Sequence, residues 1–431
     1  MSANLPKPLF SLLGLSLIER ILLSAKEAGI REVIVVIGFL GERIKEYLGE
    51  GKRLGLKIEY INNKEWEKGN ALSLMAAKPF IKQNFILLMA DHLFSPSILK
   101  RLKKEKVKEG EGILVVDCQP HRYIDIPEST KVEIRNGKVL DIGKELKNWT
   151  GIDCGIFLLS PSIFEVFEQS IKRSRGSLSE GMRLLAKEGR LRTLGLEEGE
   201  FWIDIDTYKE LKQAEKILCK NLIKPTDGPV SRLLNRPISI FLSRYLVKLN
   251  ISPNSLSLFA FLGCALSAFF FSTGAYPNFI IAGILAQIFS ILDGCDGEVA
   301  RLTFRCSEYG AWFDAVLDRY ADALIILGMV LGDWKLHMRP SVWTVGFFAL
   351  LGSLMISYTA IKYDAILKEK KAKIKLRFGR DVRLFIIMLG GLTAQLFLTL
   401  LTLAFTTNLE CIRRMFEMRG KEGSKNKSVS S

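Results

Sequence analysis

Four carboxylates at helical spacing are the residues of this chain best placed to do chemistry. They lie in Asp293-Gly294-Cys295-Asp296-Gly297-Glu298-Val299-Ala300-Arg301 and in Gly310-Ala311-Trp312-Phe313-Asp314-Ala315-Val316-Leu317-Asp318. On a helix, Asp293 and Asp296 are i, i+3 neighbours and Asp314 and Asp318 are i, i+4 neighbours, so each pair shares a face. Apolar runs flank both pairs, Tyr276–Leu292 before and Tyr320–Leu331 after, which puts the carboxylates at membrane depth. Isolated charge is costly there, and a functional role is the default expectation. Hard divalent cations would neutralise such a set through oxygen ligands. A pair of them with open coordination positions suits displacement at phosphorus. Gly297 follows Asp293 by one turn on the same face, and Ala300 follows Asp296 by one turn. Both are small enough to let a nucleotide or a facing helix approach the backbone.

The elements that must position these groups follow from the charge pattern. The chain has 431 residues, 48% of them hydrophobic and 25% charged, with a net charge of +15. That size implies two or three domains and excludes a disordered or disulfide-stapled chain. Seven cysteines without a CxxC pair read as reduced thiols, not as a zinc framework. Asn254–Gly274 carries no charge over 21 residues and Leu384–Leu409 none over 26, with Ser341–Ile361 a further apolar run. A helix needs about 20 apolar residues to cross a bilayer. Six spans are expected, the last two being short helices folded at Gly390-Gly391 to Thr393. Arg232–Leu249 alternates basic and apolar residues at helical spacing and reads as an interfacial helix. The Lys362–Arg383 loop carries nine Lys/Arg and the tail after Arg413 is basic, whereas the Ser272–Asn278 loop has none. The positive-inside rule then puts both termini and the active sites on the cytoplasmic side of a multi-pass cell-membrane protein. Because the positive charge clusters beside the spans, a nucleic-acid partner is not expected.

Ahead of the turn-rich Lys224–Pro229 linker, short β-rich runs alternate with amphipathic helices. Strands are expected at Glu32–Ile37, Lys57–Ile61, Phe85–Met89, Gly112–Val116, Lys131–Ile134, Ile152–Leu159 and Phe201–Ile205. The alternation predicts an α/β domain on a mostly parallel sheet. Asp91 follows the apolar strand Phe85–Met89, and the C-terminal end of a parallel strand is where such sheets place ligands.

The carboxylate segment resembles the CDP-alcohol phosphotransferase signature, D-x2-D-G-x2-A-R-x8-G-x3-D-x3-D, at every fixed position, and the resemblance extends over roughly Arg232–Met418. It implies Asp293, Asp296 and Asp314 as ligands of two Mg²⁺ ions. It further implies Asp318 as base and further ligand, and Gly297, Ala300, Arg301 and Gly310 around the CMP moiety. The front half resembles nucleotidyltransferases that activate sugar and alcohol phosphates, through Pro6-Lys7-Pro8-Leu9, Lys68-Gly69-Asn70-Ala71-Leu72-Ser73-Leu74, Met89-Ala90-Asp91 and Trp202-Ile203-Asp204-Ile205-Asp206-Thr207. This implies Asp91 and Asp206 on one Mg²⁺, with Lys7 on phosphate. That family opens with a strand and a Gly-rich loop. Here only five residues precede Pro6. Either the reading frame begins earlier, or the cytidylyltransferase step is impaired.

The expected architecture is therefore an α/β nucleotidyltransferase (GT-A/Rossmann-like) cytoplasmic domain over residues 1–225, then an all-α six-helix transmembrane domain over 226–431. The fusion is similar to the bifunctional inositol-1-phosphate cytidylyltransferase/di-myo-inositol phosphate phosphate synthase family of heat-loving prokaryotes. It implies that CTP and inositol 1-phosphate give CDP-inositol, which then donates inositol phosphate to a second inositol 1-phosphate. Arg380, Arg383 and Lys362 are the candidates for holding the acceptor's phosphate. The bilayer is the expected surrounding, and a homodimer is compatible with the sequence. The alternatives are a phospholipid synthase using CDP-diacylglycerol and a membrane-anchored nucleotide-binding regulator or transporter.

Overall fold

The computed structural model describes residues 5–173, 177–224, 227–369 and 378–428. The Lys362 side chain, most of the basic loop and the side chains of the basic tail lie outside the described residues. The chain divides into two compact units, Met1–Ile217 and Leu218–Ser431.

The strands of the first unit are β1 (Ser11–Leu12), β2 (Leu15–Ser16), β3 (Glu32–Ile37), β4 (Lys57–Asn62), β5 (Phe85–Leu88), β6 (His92–Phe94), β7 (Gly112–Asp117), β8 (Lys131–Arg135), β9 (Lys138–Gly143), β10 (Gly151–Leu159), β11 (Leu191–Gly195) and β12 (Trp202–Asp204). The α-helices of the chain are α1 (Leu17–Glu27), α2 (Gly41–Leu48), α3 (Asn70–Ala76), α4 (Pro96–Leu102), α5 (Ile163–Arg173), α6 (Leu178–Lys187), α7 (Tyr208–Lys220), α8 (Arg236–Leu246), α9 (Pro253–Ser272), α10 (Tyr276–Leu302), α11 (Glu308–His337), α12 (Ser341–Glu369), α13 (Arg380–Thr393) and α14 (Leu396–Ser428). Local chemistry sets their ends. Helix α1 starts on a capping box in which the Glu19 carboxylate accepts from the Ser16 N–H at 2.8 Å and the Ser16 hydroxyl accepts from the Glu19 N–H at 3.3 Å.

The central sheet has the order β5-β10-β7-β11-β9-β8. Its strands are mixed in direction, which corrects the expectation of a mostly parallel sheet. Only β7 and β11 pair in parallel within it, and β10 runs antiparallel between β5 and β7. The reason is connectivity. A parallel neighbour needs a long crossover, which the stretch from β8 to α6 supplies between β7 and β11, whereas β8 and β9 form a hairpin and β10 follows it back between β5 and β7. Strands β3 and β4, joined through α2, form a separate parallel pair. Strand β10 is nearly buried throughout. Its Phe157 and Leu159 enter one core, while Ile152, Cys154, Ile156 and Leu158 enter the other, so the sheet carries side-chain layers on both faces.

The second unit is all helical beyond the linker. Among the described residues, α9, α10, residues Ser341–Ala360 of α12 and Leu396–Glu417 of α14 are long and apolar enough to cross a membrane. Helix α11 has 30 residues but carries the acidic stripe, and α13 has 14. Helix α13 rises only ~21 Å. Glycines bring these helices together. A Cβ on Gly391 of α13 would stand 2.5 Å from the Phe279 carbonyl and 2.9 Å from Gly283 Cα of α10. One on Gly332 of α11 would stand 2.1 Å from the Phe271 carbonyl of α9. Such close backbone approach is how helices associate where no hydrophobic drive separates helix from lipid.

Candidate active sites

In the membrane unit, α10 runs unbroken through Asp293 and Asp296 to Leu302. Helix α11 begins after Ser307, whose hydroxyl caps it by accepting from the Gly310 N–H at 3.0 Å. The two helices deliver carboxylate oxygens of Asp293, Asp314 and Asp318 to within 4.8 Å of one another. Asp296 sits beside this trio. It accepts from the Ser257 hydroxyl of α9 and from the Gly297 N–H. Ser257 escaped the sequence reading because a lone serine in an apolar span carries no motif. Gly310 leaves room for α9: a Cβ there would lie 3.1 Å from Asn254 Oδ1.

Arg380, at the start of α13, bridges the carboxylates of this site, and Arg319 also reaches Asp318 at 3.1 Å. One Nη reaches Asp293 at 2.8 Å and Asp318 at 2.5 Å, and its Nε reaches Asp322 at 3.2 Å. Arg383 does something different. It is 4% exposed, donates to the Ser353 carbonyl at 2.7 Å and pairs with Asp322 at 3.0 Å. Its charge is thus committed inside the bundle, while Arg380 touches the carboxylates directly. Asp322, missed in the sequence, is the next turn of the Asp314/Asp318 stripe and joins both arginines to the Ser353 hydroxyl of α12 at 3.1 Å.

The donor set fits a hard divalent cation. The oxygens are carboxylate, they converge, and Asp314 Oδ1 is buried without a hydrogen-bond partner. A coordinating ion would complete that atom.

In the first unit, the pairing of β6 with β12 sets Asp204 opposite His92. Asp91, His92 and Asp204 place ligand atoms within 4.8 Å of one another. Lys7 bridges Asp91 at 2.8 Å and Asp206 at 2.5 Å, and stands 3.9 Å from Asp204. Of the two carboxylates expected here, Asp91 belongs to this trio and Asp206 lies across Lys7 from it, 65% exposed. Asp204 and His92 are additions that the structure supplies. The His92 Nδ1 side hydrogen-bonds the Cys154 carbonyl at 2.8 Å, and Nε2 faces Asp204 at 3.5 Å. Burial opposes charge on the ring, but the bond to Asp204 and the charges of Asp204 and Asp91 prevail, pushing its pKa up to about 9. Gly155, with φ of +69°, lies against that ring; a Cβ would come within 2.3 Å of His92 Nδ1. Beside the trio is a cavity of about 330 Å³, lined by Lys144, Asp153, Trp202, Asp204 and Asp206 among others.

Residues 1–221 match the nucleotidyl transferase family, and residues 250–408 match the CDP-alcohol phosphatidyltransferase family. A "Bifunctional IPC transferase and DIPP synthase" of Rubrobacter xylanophilus is 36% identical over 417 residues, 96% of this chain and 92% of that one. Its namesake in Aquifex aeolicus is 36% identical over 436 residues, 98% of this chain and 96% of that one. The namesake in Thermococcus kodakarensis is 38% identical over 416 residues, 94% and 91% respectively. The chain belongs to the bifunctional IPC transferase and DIPP synthase family.

Within that family, the chain is an enzyme with a nucleotidyltransferase domain and a CDP-alcohol phosphotransferase domain, and both families generally use divalent metals. The two acidic clusters thus fall one in each family-matched half.

Proposed function

We propose that the front half joins CTP and inositol 1-phosphate into CDP-inositol, and that the membrane half passes inositol phosphate from CDP-inositol to a second inositol 1-phosphate. In the first step a phosphate oxygen of inositol 1-phosphate bonds to the α-phosphorus of CTP and pyrophosphate leaves. In the second, a hydroxyl oxygen of the acceptor bonds to the phosphorus that carries the donor inositol. The bond from that phosphorus to the CMP oxygen breaks, and CMP leaves with the electron pair. Asp318 takes the hydroxyl proton. Asp293, Asp296, Asp314 and Asp318 would hold two Mg²⁺ ions, and Asp91 with Asp204 or Asp206 would hold one in the front half. Bound there, such ions neutralise the charge of the diphosphate and of its leaving group. Gly297, Ala300, Arg301 and Gly310 line the CMP position, and Lys7 contacts phosphate in the front half. Arg380 orients the acceptor's phosphate, with Lys362 as a further cation.

What carries this reading is the convergence of Asp293, Asp314 and Asp318, bridged by Arg380, in a chain of this family. The domains divide near residue 225, Arg232–Leu249 lies at the bilayer interface, and both termini and both sites face the cytoplasm. The loop charges support that orientation. The test is to incubate the detergent-solubilised chain with CDP-inositol, inositol 1-phosphate and Mg²⁺. CMP and a water-soluble phosphodiester should form in equal amounts. A product extractable into organic solvent from CDP-diacylglycerol, with none from CDP-inositol, would refute the reading. So would unchanged turnover in Asp314→Asn.

A further inference from the structure

Asp322 holds the guanidinium of Arg380, but the backbone that carries it is anchored elsewhere. Helix α13 opens at Gly379, which has no side chain to cap it. Asp381 is turned about 100° from Arg380 and about 160° from Arg383, so it points away from the carboxylates that those arginines meet. Its Oδ2 accepts from the Ser231 N–H at 2.7 Å. Ser231 stands in the first turn of the helical stretch that leads into α8, where Gly228 begins the turn and its carbonyl accepts from the Arg232 N–H at 3.0 Å. An N–H at that position has no partner inside its own helix. A Ser or Asp in place of Gly228 would cap it locally; here a carboxylate from a different helix does so, with the helix dipole adding to the bond. The fit is tight. A Cβ on Gly228 would stand 2.6 Å from Asp381 Oδ2 and 2.8 Å from Oδ1.

The same stretch is tied on its other side to α10. Asp227 grips Arg236 at 2.9 and 3.0 Å, and Arg236 pairs with buried Glu298 of α10 at 2.7 Å. Residues 227–236 therefore brace the helix that presents Asp293 and Asp296 against the helix that presents Arg380. Across this brace Arg380 meets Asp293 at 2.8 Å and Asp318 at 2.5 Å. Farther along α13, Gly391 packs on Phe279 and Gly283 of α10, about 16 Å from Arg380 by helical rise. Releasing Asp381 thus frees the first turn of α13 and leaves the carboxylates and the packed end of the helix where they are.

We propose that Asp381 is a positioning residue: by holding the Ser231 N–H it sets the start of α13 so that Arg380 meets the acceptor's phosphate. The proposal rests on the reading of Arg380 as the residue that orients that phosphate. Its test is CMP release by the full-length chain in detergent with Mg²⁺, with CDP-inositol and inositol 1-phosphate varied separately, in wild type, Asp381→Ala, Asp381→Asn, Gly228→Ala and Arg380→Met. Asp381→Ala should raise KM for inositol 1-phosphate by about tenfold, the loss of one hydrogen bond to a charged group, and leave KM for CDP-inositol as it was. Asp381→Asn keeps an acceptor oxygen for the N–H and should recover most of the loss. Gly228→Ala crowds the carboxylate off the N–H and should reproduce Asp381→Ala, and it carries the test should Asp381→Ala not fold. An unchanged acceptor KM in Asp381→Ala and Gly228→Ala, both KM values rising together, or no recovery in Asp381→Asn overturns the proposal. An Arg380→Met variant whose acceptor KM stays at the wild-type value removes the reading of Arg380 beneath it.

Discussion

The Asp322 carboxylate lets the membrane site be separated into its structural and chemical parts. It is 5% exposed and holds Arg380 at 3.2 Å, Arg383 at 3.0 Å and the Ser353 hydroxyl at 3.1 Å. Asp322→Asn leaves Arg383, 4% exposed, without a carboxylate among the described residues. Stranding one member of a buried ion pair costs about 3–5 kcal/mol. Adding Arg383→Met removes the stranded charge, so the double variant should be more stable than Asp322→Asn alone. The coupling between the two sites should be about 0.5–3 kcal/mol. Turnover should not return, because Arg380 still lacks the anchor that aims it at Asp293 and Asp318. The assay is a double-mutant cycle in one detergent, with thermal midpoints beside CMP release from CDP-inositol. Additive destabilisation, or a double variant that regains wild-type turnover, would refute this division of labour.

Asp318→Asn should keep the fold, since it lessens repulsion among crowded carboxylates, and should slow CMP release by about 10²–10⁴-fold; near wild-type turnover would remove Asp318 as the base. Gly391→Ala should destabilise the helix packing by about 1–3 kcal/mol through overpacking against Phe279 and Gly283 and so lower the thermal midpoint, whereas an unchanged midpoint would mean α10 and α13 can part freely. In the front half, burial lifts the Asp153 carboxyl from its ordinary 3.8 to about 6, against the pull of the Gly155 N–H and His92. A raised acid pKa means that ionising Asp153 costs stability. The cost is absent below pH 3.8, grows as pH rises and is full above about 6. Asp153→Asn should therefore stabilise the front-half transition at pH 8 and not at pH 3.5, and a gain independent of pH would contradict this.

The membrane helices were legible where charge was absent and blurred where function put it. The apolar run Tyr276–Leu292 stops at Asp293, yet α10 continues to Leu302, and α11 spans Glu308–His337 although only Tyr320–Leu331 reads as apolar. Hydropathy ends where the carboxylates begin, but backbone hydrogen bonding does not. Strands β9 and β11 escaped because Lys138, Asp141 and Arg192 interrupt their short apolar alternation. The direction of β10 was invisible because side-chain periodicity is the same in parallel and antiparallel pairing. Asp204 and Asp206 alternate on one side of an extended run, and only the pairing of β12 with β6 brings Asp204 to His92. Arg380 and Arg383, three residues apart, looked equivalent; folding gives both Asp322, but it adds Asp293 and Asp318 to Arg380 and the Ser353 carbonyl to Arg383.

Helix α8 has its polarity turned inside out. Ser239 and Ser243 are buried on Glu298, while Phe241, Tyr245 and the following Leu249 are 53%, 55% and 66% exposed. A redesign for work without detergent would have to swap those outward aromatic and aliphatic groups for hydrophilic ones and leave the inward serines alone. Greasing the inner face, as intuition about globular helices would suggest, would deprive Glu298 of two of the three donors it has among the described residues and unseat the helix.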